Sequence, residues 1–271
     1  MNTPHEALPA LDLPALLEAV VAIVLAAGCE VMEIYHGDFC VSAKGDDSPV
    51  TEADLRAEAL IVPALQALLP GVPVVAEEAA AGGRLPETGA LFWLVDPLDG
   101  TREFVSRNGE FTVNVALVRD GRPVLGVVQA PALERLYAGA TGLGAFIQLG
   151  NDAGSRRAIA CRPPPAEGLT VLASRSHGDA AALDAFLAGR PVACLRGVGS
   201  SLKLCELAAG QADLYPRFGC TMEWDIAAGQ AVLEAAGGQV LDRQGGSLRY
   251  GKPGFQNPDF VAWGVGNHAE E

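Results

Sequence analysis

The residues most able to do chemistry are acids that emerge from apolar runs. Asp96-Pro97-Leu98-Asp99-Gly100-Thr101 follows Leu91-Phe92-Trp93-Leu94-Val95. Two carboxylates three residues apart at the mouth of a buried strand repel each other unless a cation lies between them. Pro97 and Gly100 bend the backbone there. Such a bend can turn the Leu98 carbonyl to the same centre and free the Gly100 and Thr101 amides for an anion. Taken alone, the segment is also readable as a turn, where Asp is common. Glu77 and Glu78 close another short apolar run, residues 72–76. Read as a strand end, it aims at most one of them at a shared site. Asp225 follows Trp224 and opens a helix, and Asp54 sits in a helix's first turn. The helix dipole alone favours an acid in either place. Together these acids form an oxygen-only donor set without clustered His or Cys, which suits a hard ion such as Mg²⁺ or Mn²⁺.

Other chemistries find little support. The histidines (His5, His36, His177, His268) are too far apart in the chain for a paired zinc motif. There is no Walker sequence, and the glycine-rich run 139–144 reads as hairpin turns. The six cysteines (Cys29, Cys40, Cys161, Cys194, Cys205, Cys220) include no C-x-x-C pair and read as buried thiols of a reducing cytosol. No basic segment opens the sequence, and the apolar stretch 19–27 is shorter than a membrane span. The expected location is cytoplasmic, with membrane association at most peripheral. The 271 residues carry a net charge of −14, which argues against nucleic-acid polymers and anionic membranes as partners. With 49% hydrophobic residues the chain has enough apolar surface for a sizeable core.

The elements that position these acids follow from punctuation and periodicity. Asp12 and Pro14 start a long helix that Gly37 ends. Thr51 caps a second helix, residues 52–69, with Asp54 in a box-like position; Pro63 should kink or split it. Runs at 111–118 and 123–129 flank Asp120-Gly121, a hairpin signal, and 136–137 and 144–149 continue a meander. Pro163-Pro164-Pro165 is the clearest linker, beyond which strand and helix alternate to a final strand at 239–242. The chain therefore reads as an α+β front domain, 1–160, carrying most of the acids, and an α/β back domain, 161–271, closing the site.

These motifs carry a resemblance. Trp93-Leu94-Val95-Asp96-Pro97-Leu98-Asp99-Gly100-Thr101-Arg102-Glu103-Phe104 resembles the central motif of the inositol monophosphatase superfamily of Mg²⁺-dependent, lithium-sensitive phosphatases. Stretches at 47–54, 74–78 and 223–229 fit in matching order, so the resemblance spans about residues 12–262. Stretches at 107–114, 174–177, 199–203 and 210–219 are most similar to the bacterial 3'(2'),5'-bisphosphate nucleotidases of that superfamily. The resemblance implies a layered αβαβα sandwich of the inositol monophosphatase / fructose-1,6-bisphosphatase type. It implies hydrolysis of the 3'-phosphate of adenosine 3',5'-bisphosphate, a by-product of sulfate assimilation, to AMP. Two or three Mg²⁺ ions would be held by Glu77, Asp96, Asp99, Asp225 and the Leu98 carbonyl, with Mn²⁺ as a substitute. Gly100 and Thr101 would offer amides to the phosphate, and Asp54, Glu77 and Thr101 would serve the attacking water. Glu77, Leu98, Asp99, Gly100, Thr101 and Asp225 would line the substrate. Ser174, Arg175, His177, Ser200, Lys203 and Arg217 are candidates for a second phosphate or the nucleotide. Two alternatives stay open: an inositol monophosphatase or fructose-1,6-bisphosphatase activity, and a non-catalytic nucleotide- or metal-binding protein. Oligomeric state is not legible.

Overall fold

The computed structural model describes residues 10–39, 41–43, 49–175 and 178–265. The front half begins with helix α1 (Leu13–His36), an antiparallel strand pair β1 (Val41–Ala43) and β2 (Pro49–Thr51), and helix α2 (Glu52–Leu68). Strand β3 (Val74–Ala76), helix α3 (Glu77–Ala81), strand β4 (Leu91–Asp99) and the short helix α4 (Thr101–Val105) follow. A meander comes next: β5 (Thr112–Arg119), β6 (Arg122–Ala130), β7 (Arg135–Ala140), β8 (Gly144–Leu149) and β9 (Arg157–Ile159). The back half contains β10 (Leu169–Ser174), α5 (Ala180–Leu187), β11 (Val192–Val198), α6 (Leu202–Ala208), β12 (Leu214–Arg217) and β13 (Thr221–Met222). It ends with α7 (Glu223–Ala235), β14 (Gln239–Asp242), β15 (Gln256–Asn257) and β16 (Phe260–Trp263).

Strands β3 to β9 form one seven-stranded sheet in sequence order, parallel only at β3–β4. A five-stranded sheet has the order β11-β10-β12-β16-β14. Along β4 the side chains alternate: Leu91, Trp93 and Val95 pack toward α1 and α2, while Phe92 and Leu94 pack toward α6 and α7. The first sheet is thus buried on both faces, which is why its strands read as continuous apolar runs. The inner core continues through α6 and α7 to the second sheet, and α5 covers that sheet's outer face with Leu183, Phe186 and Leu187. This layering of helices and sheets is the αβαβα sandwich that the resemblance implied.

Several local expectations hold for physical reasons. Asp12 accepts the Ala15 N–H at 3.1 Å and caps α1. Asp120 and Gly121 both take positive φ, 53° and 71°, as a tight hairpin turn needs. Others need correction. Pro63 does not split α2; its side is exposed, as is Ala59, so the carbonyl that loses its partner faces water. Glu77 and Glu78 are not a strand end but the first turn of α3. The strand at 239–242 is not the last, because β16 lies between β12 and β14. Among the described cysteines only Cys161 and Cys205 are buried; Cys29, Cys194 and Cys220 are exposed. Finally, α1 is long and apolar enough to cross a membrane by length and composition. Its Leu17, Val20, Val21, Val24, Ala27 and Val31 stripe is instead packed in the core.

Candidate active site

The site starts from an irregularity in β4. Asp96 pairs opposite Asn114 of β5, and Asp99 opposite Thr112. Three steps along β4 therefore match two along β5, so one extra residue bulges out. In an unbroken strand, residues three apart face opposite sides. The bulge restores parity, and Asp96 and Asp99 face the same cleft. The Leu98 N–H donates to Asp96 Oδ1 at 3.0 Å, closing the turn. Gly100 then takes φ 91°, a left-handed conformation, and hands the chain to α4 with Thr101 at its start.

Three helix starts bring in the remaining acids. In α2, Asp54 Oδ2 accepts the Thr51 N–H at 2.8 Å and the Thr51 hydroxyl at 2.7 Å. Its other oxygen accepts from Thr101 Oγ1 at 3.4 Å, and that hydroxyl is also 3.3 Å from the Leu98 carbonyl. One carboxylate thus caps a helix and orients Thr101. Glu77 opens α3, where Glu58 fixes the backbone by accepting the Glu78 N–H at 2.8 Å. Asp225 lies in the first turn of α7 and accepts the Met222 N–H at 2.9 Å. Fully buried Glu223 anchors that helix start, accepting the N–H groups of Gly251 and Lys252 at 2.7 and 3.0 Å and pairing with the Lys252 ammonium at 2.6 Å.

Glu77, Asp96, Leu98, Asp99, Gly100, Thr101 and Asp225 line one cleft of about 300 Å³. Ser174 and Arg217, at the ends of β10 and β12, and Ser200 and Lys203, from the turn after β11 and from α6, line the same cleft. Ser174 and Arg217 also border an adjoining cavity of about 210 Å³, with Arg175, Asp179 and Phe218. Burial, then the charges of Glu77, Asp99 and Asp225, push the Asp96 carboxyl well above the usual range. Burial and the same kind of repulsion raise Asp225. Asp99 is pushed up to about 6 by burial, opposed by Lys203. Burial lowers Lys203 to about 8, and its ammonium donates to the carbonyls of Val198 and Ser200. Mutually repelling, desolvated oxygens are the donor set of a hard divalent cation. Among the described residues no three such side chains close tightly enough to hold an ion alone. That is compatible with Mg²⁺, which usually keeps several waters and takes further oxygens from a bound phosphate.

A profile of the inositol monophosphatase family matches residues 12–265. The 3'(2'),5'-bisphosphate nucleotidase CysQ of Escherichia coli is 44% identical over 250 residues, spanning 90% of this chain and 98% of that protein. The chain belongs to the inositol monophosphatase family. Among solved structures, CysQ from Bacteroides thetaiotaomicron superposes with a TM-score of 0.78 at 34% identity, covering 94% of this chain and 99% of that one. An inositol monophosphatase from Anabaena gives 0.74 at 25% identity, covering 93% and 92%. Within the inositol monophosphatase family the chain is CysQ-like, and the activity that goes with this family is phosphomonoester hydrolysis.

In this inositol monophosphatase family chain the fold gathers all the acids that the sequence singles out, with Asp54 behind Thr101 rather than in the cleft wall. The second-phosphate candidates divide. Ser174, Ser200, Lys203 and Arg217 border the cleft, whereas the Arg175 guanidinium forms a bidentate pair with Glu110 at 2.8 and 3.0 Å. His177 lies outside the described residues. Sequence reasoning missed Glu58, Glu110 and Glu223. Glu58 stands four residues after Asp54 on the same helix face, a spacing that could have flagged it. Glu110 and Glu223 lie within the stretches 107–114 and 223–229 that the sequence singles out, but the groups they anchor lie far along the chain.

Proposed function

We propose that the chain hydrolyses the 3'-phosphate of adenosine 3',5'-bisphosphate to AMP and phosphate, with two or three Mg²⁺ ions, or Mn²⁺, as cofactor. The observation that carries this reading is one cleft lined by four carboxylates together with Lys203 and Arg217. The carboxylates suit the ions and the scissile phosphate. The two cations suit a second phosphate on the same small molecule. The 44% identity to a protein named 3'(2'),5'-bisphosphate nucleotidase supports the nucleotide over an inositol phosphate or fructose bisphosphate.

In this reading Glu77, Asp96, Asp99, Asp225 and the Leu98 carbonyl hold the ions. Bound Mg²⁺ supplies charge neutralisation on the phosphoryl oxygens and a lower water pKa. Gly100 and Thr101 present backbone amides to the phosphate at the start of α4. The Thr101 hydroxyl directs its proton to Asp54 and Leu98, which leaves its oxygen to accept from the attacking water. Glu77 takes the other water proton. Water oxygen bonds to phosphorus as the bond to the 3'-oxygen breaks, and the proton finally resides on that oxygen. The desolvated carboxylates of Asp96, Asp99 and Asp225 cost stability without an ion, and that preorganisation is what makes charge neutralisation effective.

A phosphate-release assay tests the proposal. Adenosine 3',5'-bisphosphate, inositol 1-phosphate and fructose 1,6-bisphosphate are compared by kcat/KM with Mg²⁺, with EDTA and with added Li⁺. The nucleotide is expected to lead, EDTA to stop turnover, and Li⁺ to inhibit. A higher kcat/KM for either sugar-type substrate, or turnover that survives EDTA, would overturn it.

A further inference from the structure

The turn at 199–201 reaches the acid cluster from the second sheet, and it is held by a residue the reaction does not use. Glu110, just before β5, commits both carboxylate oxygens. Oε2 accepts the Gly199 N–H at 2.7 Å and Arg175 Nε at 3.0 Å; Oε1 accepts Arg175 Nη2 at 2.8 Å. The same Nη2 donates to the Gly197 carbonyl at 2.8 Å. Two residues beyond Gly199, the Ser201 N–H donates to Asp99 Oδ2 at 2.6 Å. The Ser201 hydroxyl lies 2.8 Å from Asn114 Oδ1 and 2.9 Å from Thr112 Oγ1, the β5 residues opposite Asp96 and Asp99.

The turn between these anchors has little freedom. Ser200 sits at φ 46°, a conformation that a residue with a Cβ keeps only where its surroundings impose it. A Cβ on Gly199 would lie 2.7 Å from the Glu110 carbonyl oxygen and 2.8 Å from Glu103 Cγ. Carboxylate rotation about χ2 is otherwise soft. One Asp99 oxygen is therefore fixed by Ser201, and this sets where the other can point. The stretches around 110, 175 and 200, each singled out in the sequence, meet at one carboxylate.

We infer that Glu110 is a positioning residue for the acid cluster: it fixes the 199–201 turn and, through the Ser201 N–H, orients Asp99. Arg175 is its counter-ion and a second hold on its rotamer. The side chains of Arg175 and Glu110 are 48% and 23% exposed, so the pair itself contributes little to stability. Its effect is geometric and falls on ion binding. The inference rests on the proposed ion-binding role of Asp99.

The test uses the full chain stripped of metal. Mn²⁺ binding is followed through the EPR signal of the free ion, beside melting curves and the Mg²⁺ dependence of turnover. Glu110→Gln leaves one acceptor oxygen for three N–H donors. It is expected to weaken Mn²⁺ binding about tenfold, as loss of an outer partner typically does. Half-saturating Mg²⁺ should rise in parallel, while KM at saturating Mg²⁺ stays within about twofold and Tm falls by only a few degrees. Arg175→Gln, an exposed change, should shift Mn²⁺ binding in the same direction by about threefold, since one hold remains. Unchanged Mn²⁺ binding in both variants overturns the inference. So does a large loss of Tm in Glu110→Gln with Arg175→Gln unaffected, which would make Glu110 merely structural. A wild-type protein that binds no Mn²⁺ overturns the ion reading itself and this inference with it.

Discussion

Asp96 shows how one side chain can be both a structural and a chemical element. Its Oδ1 closes the turn on the Leu98 N–H, a bond that an amide oxygen can also accept. Its charge is held at a cost, with burial and three other carboxylates working against it. Asp96→Asn should therefore leave the metal-free fold as stable as before, or more so, while kcat/KM falls by more than about 100-fold, beyond the usual loss for an outer partner. Near-normal turnover in a well-folded variant would refute the proposed role. Lys203 supports a second measurement. Burial lowers its pKa to about 8, so the ammonium is lost as pH rises through that value. If Lys203 attracts the second phosphate, KM for the bisphosphate climbs above pH 8, whereas KM for a nucleoside 3'-monophosphate stays flat. Parallel pH profiles for the two substrates would assign the second phosphate elsewhere.

The elements are placed by small residues as much as by large ones. Helix α7 lies so close to the first sheet that a Cβ on Gly126 would sit 2.3 Å from the Ala228 carbonyl, and one on Gly139 would sit 2.9 Å from Ala235 Cβ. Sheet and helix carry Asp96 and Asp225 respectively, so this approach sets the distance across the acid cluster. Gly126→Ala should cost about 1–3 kcal/mol through overpacking, several degrees of Tm, and should raise the Mg²⁺ needed for turnover. A variant that melts early yet keeps its Mg²⁺ dependence would uncouple the two. The same scale explains what was legible in the sequence. The β4 acids were, because strand, turn and helix start are contiguous there. Their common facing was not, because the bulge exists only in register with β5. Glu77 in α3 was misread because a five-residue helix carries too little periodicity to oppose a strand reading. Strand β16 was missed because four apolar residues without alternation do not declare a strand. Glu110 was invisible as an anchor because Arg175 and Gly199 lie far along the chain.

For the whole molecule, the charge of −14 first weighs against an anionic substrate. The fold changes that by concentrating acids where cations would sit, so surface charge and site charge become separate matters. Stability should report this. Asp96, Asp99 and Asp225 all have raised carboxyl pKa values in the folded chain. Such groups favour folding while protonated, and their contribution is lost as pH rises, through about 6 for Asp99. The metal-free protein should thus lose Tm as pH rises from about 4 to about 6, and saturating Mg²⁺ should restore more at the higher pH. Equal Mg²⁺ stabilisation at both values would contradict it. The position of β16 has a consequence of another kind. It is synthesised after every other strand of its sheet, yet it sits between β12 and β14 and joins them. A ribosome delivering this chain would have finished the first sheet long before the second could close. Until residues 260–263 emerge, β12 and β14 have bare edges, and Arg217 at the end of β12 rests on an open sheet. Vectorial synthesis thereby makes Glu77, Asp96 and Asp99 early, Asp225 later, and the closed second sheet later still.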